Sequence, residues 1–300
     1  MHESIKNLLN NRNAFISFLK ASKSKQVKEI AKQMDISLKV LEEYLDYYDL
    51  WEYVVKVCSP EKELAKYLPN FHKNRKIISP YEIDFYNDKF KLGVEFNGTY
   101  WHSSYHKDYC YHQEKSLIAL MKGIKIYHIF EYEWNDRGKI FIMNDLQKIV
   151  HQLPKIYDCE IKEISNKVAE EFLYYNSYEH ENYEVAYGLF KDDLKAVITL
   201  KGKVITNYVE KLGIELPNGL KSFMQKDMIY YSNLAKPFDY GLKSLGKTDP
   251  ETIWFKSSEK LSKEKKEYLL AGCNESEDTY LKKLGYKQLY DCGRLKLVMG

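Results

Sequence analysis

Arginine is nearly absent from this chain. Of 46 basic residues only Arg12, Arg75, Arg137 and Arg294 are guanidinium groups, and lysine supplies the rest. Charge of one sign is also lacking: 46 basic residues stand against 43 acidic ones, a net charge of +3. That excludes a wholly basic, histone-like nucleic-acid coat, but not a basic face balanced by acidic regions elsewhere. No apolar run approaches the ~20 residues of a membrane-crossing helix. The opening M-H-E-S-I-K-N-L-L-N-N-R has no apolar signal core, which argues against export. The five cysteines (Cys58, Cys110, Cys159, Cys273, Cys292) are odd in number, scattered and without a CxxC, so a disulfide framework is not expected and a reduced cytoplasm fits. What the chain does have is 44% hydrophobic and 15% aromatic residues, enough to build real cores.

Three textures follow one another. Residues 1–57 contain no glycine or proline and place apolar residues at helical spacing. Residues 58–153 alternate short β runs with helical runs. Residues 154–300 begin with a helical run, Ser165–Tyr175, and a strand pair, Val185–Phe190 and Lys195–Leu200, then pass into Gly- and Lys-rich stretches that read as loops. The proline joints Ser59-Pro60 and Leu153-Pro154 mark the expected boundaries. The fold class is therefore α/β and multidomain: a helical module, a mixed-sheet core and a trailing α+β domain.

In the first stretch, Val27, Ile30, Ala31 and Met34 line one face of a short helix. Asp35 falls at a tight turn, Ile36 plugs the corner, and Ser37 caps a second helix that buries Val40, Leu41 and Leu45. The stretch from Ser24 to Trp51 resembles the helix-turn-helix family, with Asp35 where a turn glycine is common. The resemblance implies a second helix offered to the major groove, with Ser37 and Lys39 as DNA contacts. Glu42 and Glu43 on the same helix are poor partners for phosphate.

The central stretch carries the chemistry. Two β runs, Tyr81–Tyr86 and Phe90–Phe96, flank the turn residues Asn87-Asp88. A hairpin there brings Asp84 toward Glu95, and two carboxylates from adjacent strands make a hard oxygen site suited to Mg²⁺. Such a metal polarises a phosphodiester and lowers the pKa of a bound water. The run E-F-N-G-T-Y-W-H then places Gly98 and His102 at a strand end. A helix, Gln113–Lys122, and a strand, Ile124–Phe130, follow. A rival metal reading takes His102, His106, Cys110 and His112 as a zinc cluster.

Together Y-E-I-D-F-Y, E-F-N-G-T-Y-W-H-S, Y-H-Q-E-K and G-I-K-I-Y-H-I-F-E-Y-E-W resemble, in order, the phage-type homing endonucleases of the EDxHD group, relatives of the very short patch repair endonuclease. The resemblance spans roughly residues 59–150. It implies a PD-(D/E)XK fold and Mg²⁺-dependent hydrolysis of double-stranded DNA, with Mn²⁺ able to substitute. Under it Asp84 is the principal metal ligand, with Glu95 and the Phe96 carbonyl at the second position and Glu61 reaching the metal through water. Asn97 falls where many of these enzymes have a catalytic lysine. His102 acts as general base or orients the attacking water, and His112 and Lys115 hold the scissile phosphate or assist the leaving oxygen. Lys107 adds a DNA contact. Glu131 and Glu133 end the core strand as structural residues, and His128 belongs to the core. The wealth of Lys, Tyr, Ile and Asn, all AT-rich codons, agrees with a phage gene acting in a bacterial cytoplasm.

In the last stretch, S-N-K-V-A-E-E-F-L-Y-Y-N, V-A-Y-G-L-F-K-D-D-L-K-A-V-I-T-L and Y-L-K-K-L-G-Y-K-Q-L-Y resemble the GNAT acyltransferase fold. The glycine-rich pyrophosphate loop that acetyl-CoA needs is missing, so the expectation is a GNAT-like shell used for DNA or protein contact. The functional expectation is a site-specific DNA endonuclease of homing type, with one acid pair per chain implying a homodimer or sequential nicks. The alternatives are an inactive DNA- or protein-binding factor on a nuclease scaffold, and a nickase directed by mismatch or structure.

Overall fold

Helical spacing without glycine or proline folds the N-terminal stretch as helices. The computed structural model describes residues 3–23, 26–54, 60–99, 102, 104, 107–238, 240–256 and 259–300, in a mixed α/β arrangement of two compact units, Met1–Tyr67 and Leu68–Gly300. The division falls after the expected 57/58 boundary, and none falls at 153/154. Ser24, Cys58 and Ser59 lie outside the described residues.

The first unit comprises α1 (Glu3–Asn10), α2 (Arg12–Ala21), α3 (Val27–Gln33), α4 (Leu38–Tyr48) and α5 (Pro60–Tyr67). Leu9, Phe15, Leu19, Ile30, Leu41, Leu45 and Leu50 are fully buried in one cluster, with Ile36 packed against it. Asp35 takes φ 51° between α3 and α4. This left-handed conformation explains how an aspartate serves where glycine is usual, because Asp is among the few other residues that adopt it readily. The Ser37 hydroxyl caps α4 by accepting from the Val40 N–H at 3.3 Å. Ser37 is thus engaged with its own helix, while Lys39 and Glu43 are exposed on it and Glu42 is half-buried.

The second unit opens with β1 (His72–Ile78), β2 (Tyr81–Asn87) and β3 (Leu92–Asn97), continues through α6 (Tyr111–Met121) to β4 (Lys125–Phe130), and ends this lobe with α7 (Asp136–Ile149). The sheet order is β1-β2-β3-β4, antiparallel except for the β3/β4 pair, which α6 connects as a crossover. The expected strand, strand, helix, strand succession is present, preceded by β1, a strand that was not expected. In the β2/β3 turn the Asn87 side chain accepts from the Phe90 N–H at 3.3 Å, and Lys91 takes φ 48°.

Gly138, in the first turn of α7, has no room for a side chain: a Cβ there would lie 1.8 Å from the Glu133 carbonyl oxygen. That obstacle is backbone and cannot swing aside. Gly138→Ala is expected to lose on the order of 3 kcal/mol of stability, as overpacking against an unyielding neighbour does; urea unfolding of the variant checks this.

The remaining chain forms β5 (Glu160–Ile164), α8 (Asn166–Asn176), β6 (Val185–Lys191), β7 (Asp193–Lys201), β8 (Val204–Glu210), α9 (Gly219–Phe223), β9 (Ile229–Asn233) and β10 (Lys243–Lys247). It closes with β11 (Thr252–Lys256), β12 (Glu259–Lys260), α10 (Lys263–Leu270), α11 (Glu277–Lys283), β13 (Lys287–Tyr290) and β14 (Arg294–Val298). Seven strands join in the order β10-β14-β9-β8-β7-β6-β5, with β8 and β9 parallel, and β12-β11-β13 form a smaller sheet. The region after Leu200, expected as loops, therefore carries the strands β8 to β14 and the helices α9 to α11. Glycine there makes turns between strands, as at Gly202 with φ 58°.

The two lobes of this unit share a core. Phe130 and Tyr132 pack in one buried cluster with Leu234, Ala235, Phe255, Leu289 and Cys292. The His128 N–H of β4 donates to the Ala235 carbonyl at 2.8 Å. Cys110, Cys159, Cys273 and Cys292 are free thiols. No helix among the described residues is long and apolar enough to cross a membrane.

Candidate functional site

β2 and β3 bring Asp84 and Glu95 together, though not through a continuous ladder. Paired backbone runs from Asn87↔Leu92 to Phe85↔Val94. Beyond it the two carboxylates link the strands. The Asp84 N–H donates to Glu95 Oε1 at 3.1 Å, and the Phe96 N–H donates to Asp84 Oδ2 at 3.2 Å. Asp84 is half-buried, whereas Glu95 is 2% exposed. From α6, Lys115 Nζ lies 2.5 Å from Glu95 Oε2, with the lysine itself 2% exposed. From β1, Lys73 Nζ lies 3.6 Å from Asp84 Oδ1 and 2.8 Å from Glu82 Oε1. Burial pushes the Glu95 carboxyl up to about 7, with Asp84 adding to the rise and Lys115 opposing it.

Beside this pair lies a buried line of imidazoles. His102 stacks on His112 with centroids 5.1 Å apart, and His112 meets His128 edge-on at 5.4 Å. Desolvation is the main cause that lowers His102 to about 4, aided by the cations Lys107 and Lys115, and it holds His112 and His128 well below their ordinary range. All three rings are therefore neutral near pH 7. His128 Nδ1 faces Asn97 Nδ2 at 3.1 Å, and His128 Nε2 faces Ser116 Oγ at 2.9 Å. Since the Asn97 amide donates, Nδ1 is the acceptor and Nε2 carries the hydrogen. Asn97 is thus engaged with His128 rather than with the acids. Asn97 Oδ1, His102 Nδ1 and both nitrogens of His112 are buried with no hydrogen-bond partner among the described residues. Buried polar atoms are rarely left so, and four in one cluster mark a place that accepts further polar groups.

The C-terminal lobe forms a wall of this site. The Ser104 N–H donates to the Gln288 carbonyl at 2.8 Å, and the Tyr109 hydroxyl to the Pro250 carbonyl at 2.8 Å. Gln113, in the first turn of α6, donates to the carbonyls of Thr248 and Cys292 and accepts from Lys247. Cys292 is buried against Ser116, and burial pushes its thiol up, away from thiolate reactivity.

The remaining expected residues have other settings. Lys107 Nζ sits 3.9 Å from the Tyr111 ring centroid as a cation–π pair. Glu131 accepts from both the Thr99 N–H and hydroxyl, and Glu133 accepts from the Phe130 N–H and from Lys236, so both carboxylates brace the strand end. Glu61 lies on α5 of the first unit, whereas the acid pair, Lys115 and the three imidazoles all belong to the second. Trp101 and His106 lie outside the described residues, and with His106 the four-residue zinc cluster. No group of three or more His, Cys, Asp or Glu among the described residues is arranged to hold a metal.

Lys73, Ser116 and the polar role of His128 were missed in the sequence. Lys73 belongs to a polar strand with no apolar alternation, and His128 sits in an apolar run where periodicity shows only a core position. No protein-family model, no curated protein and no solved structure matches the chain.

Proposed function

We propose that this chain is a magnesium-dependent DNA endonuclease whose reacting centre lies at Asp84 and Glu95. The observation that carries the reading is the crossed pair of acids, each carboxylate tied to the partner strand's backbone, with a buried lysine on the inner one. Their donors are hard oxygens. Magnesium is commonly held by one or two carboxylates, with phosphate oxygens and water completing its shell, so two acids fit it, and manganese accepts similar ligands. The Phe96 carbonyl is a further ligand implied by the resemblance. A Glu95 carboxyl near its titration point at neutral pH is also one that a cation on this pair would hold ionised.

When bound, magnesium supplies charge for the phosphodiester and acidity for its water. His102 is a neutral imidazole whose Nδ1 is buried with no partner among the described residues; held this far below its ordinary range it is a weak base, suited rather to orient the attacking water. Lys115 fixes the orientation of Glu95 and holds positive charge at the site, the role a lysine at position 97 would otherwise fill. His112 packs between the other two rings and orients His102. In the first unit, α3 and α4 read as the helix-turn-helix, with Lys39 rather than the capping Ser37 as its phosphate contact. The parallel β8/β9 step in an otherwise antiparallel sheet agrees with a GNAT-like shell, here a contact surface for DNA or protein.

Purified protein incubated with supercoiled plasmid and Mg²⁺ or Mn²⁺ tests the reading. Nicked or linear product that disappears with EDTA is the expected result, and its nicked-to-linear ratio separates a nickase from a double-strand cutter. Measurable DNA binding without product in either metal would instead identify a binding factor on a nuclease scaffold.

A further inference from the structure

β1 is the edge strand of the four-stranded sheet, and its first five residues, His72-Lys73-Asn74-Arg75-Lys76, are all polar and include three permanent cations. We infer that this strand is a docking track for the phosphate backbone of duplex DNA, leading the substrate to Asp84; the inference rests on the endonuclease reading. Lys73, Asn74, Arg75 and Lys76 line a surface cleft of about 510 Å³. Lys73 connects that cleft to the acids, since its Nζ stands between Glu82 and Asp84.

The strand is shaped for the purpose. Its pairing with β2 shifts register on both sides of Asn74. The Asn74 side chain accepts the N–H groups of both Lys76 and Ile77 at 3.0 Å, satisfying locally what the ladder leaves out. Such irregularities at a sheet edge re-aim side chains and discourage strand addition. Among the described residues the pairs these cations make with Glu82 are solvated: Arg75 is 75% exposed where its Nε meets Glu82 at 3.2 Å, and Lys73 is 42% exposed. Exposed pairs of this kind are worth little, so phosphate can replace the carboxylate.

The occupant follows from what lines the cleft. Proteins that bind single strands stack bases on aromatic rings. Here the lining is three cations and an asparagine, and the ring of His72 packs edge-on to Tyr86 at 5.8 Å. A lining of charge without stacking suits backbone contact, which positions a duplex without reading its sequence.

The test is fluorescence anisotropy with a short labelled duplex in EDTA, comparing the full chain with Lys73→Gln/Arg75→Gln/Lys76→Gln between about 50 and 200 mM salt. The triple variant is expected to bind at least tenfold more weakly at the lower salt, and its slope of log K against log salt to flatten by about 2 to 3, one unit per lost phosphate contact. Arg75→Gln/Lys76→Gln, confined to exposed positions, should flatten it by about 1 to 2 and serves if the triple variant unfolds. Wild-type affinity and slope in both variants overturn the inference while leaving the endonuclease reading intact. Preference of the wild type for single strands over duplex overturns it also. Failure of the wild type to bind or cut any DNA removes both readings together.

Discussion

Asp84→Asn is expected to lower the rate of DNA cleavage by about 10³-fold, the scale on which loss of one preorganised electrostatic group acts, with affinity for the same duplex unchanged. The reason lies in what the substitution keeps. The Asp84 carboxylate accepts the Phe96 N–H through Oδ2. An asparagine oxygen accepts the same bond, so the link between β2 and β3 survives. What disappears is the negative charge that, under the proposed function, would hold a cation together with Glu95. Cleavage time courses measure the first effect, and anisotropy in EDTA together with thermal melting measures the second. A variant that cuts at the wild-type rate places the chemistry elsewhere; one that also melts early would show a structural role for the charge.

The second large effect concerns Lys115. Removing one partner of a buried ion pair leaves the other charge without compensation; measured well above pH 7, where Glu95 cannot simply take up a proton in place of the lysine's charge, Lys115→Met is expected to cost about 3 kcal/mol in folding stability. Both partners are almost wholly enclosed, and their atoms meet at 2.5 Å. Adding Glu95→Gln to Lys115→Met removes the stranded acid. Most of the lost stability should then return, because a glutamine oxygen still accepts the Asp84 N–H that Glu95 Oε1 accepts now. Urea unfolding of the two single variants and the double variant gives the coupling directly. Neither Lys115→Met nor the double variant should cleave DNA. A Lys115→Met protein as stable as the wild type would mean that the pair is open to water and the site is not enclosed.

Much of the candidate site was legible in the sequence because its elements announce themselves physically. Aromatic and aliphatic runs around Asp84 and Glu95 made charged residues conspicuous, and Asn87-Asp88 placed the turn. The runs Gln113–Lys122 and Ile124–Phe130 correspond to α6 and β4 within a residue or two. The capping serines Ser37 and Ser165 both stand at the helix starts that their side chains satisfy. Other parts left no such trace. β1 lacks alternation because it is a solvated edge, and every residue of β10, K-S-L-G-K, is exposed. Pairing makes these segments strands: β1 with the adjoining β2, and β10 with β14 at the far end of the chain. Asn97 stands at the expected position, but its amide turns to His128, a contact set by the parallel β3/β4 register. The link between the sheet lobe and residues 234–293 was equally hidden, since it depends on which side chains meet across more than a hundred positions.

That link bears on how such a chain can change over evolutionary time. Ala235 occupies the hydrogen-bonding position beside His128 on β4, and the cluster from Phe130 to Cys292 is common to both lobes. Residues 68–153 are therefore not a portable cassette. A recombination junction at Pro154 would strip β4 of a neighbour and open half a core, so exchange of a whole module is far easier at the other end, where the Met1–Tyr67 unit has a core of its own. Descendants of this protein should vary freely in their N-terminal helices while the two lobes behind them are inherited as a pair.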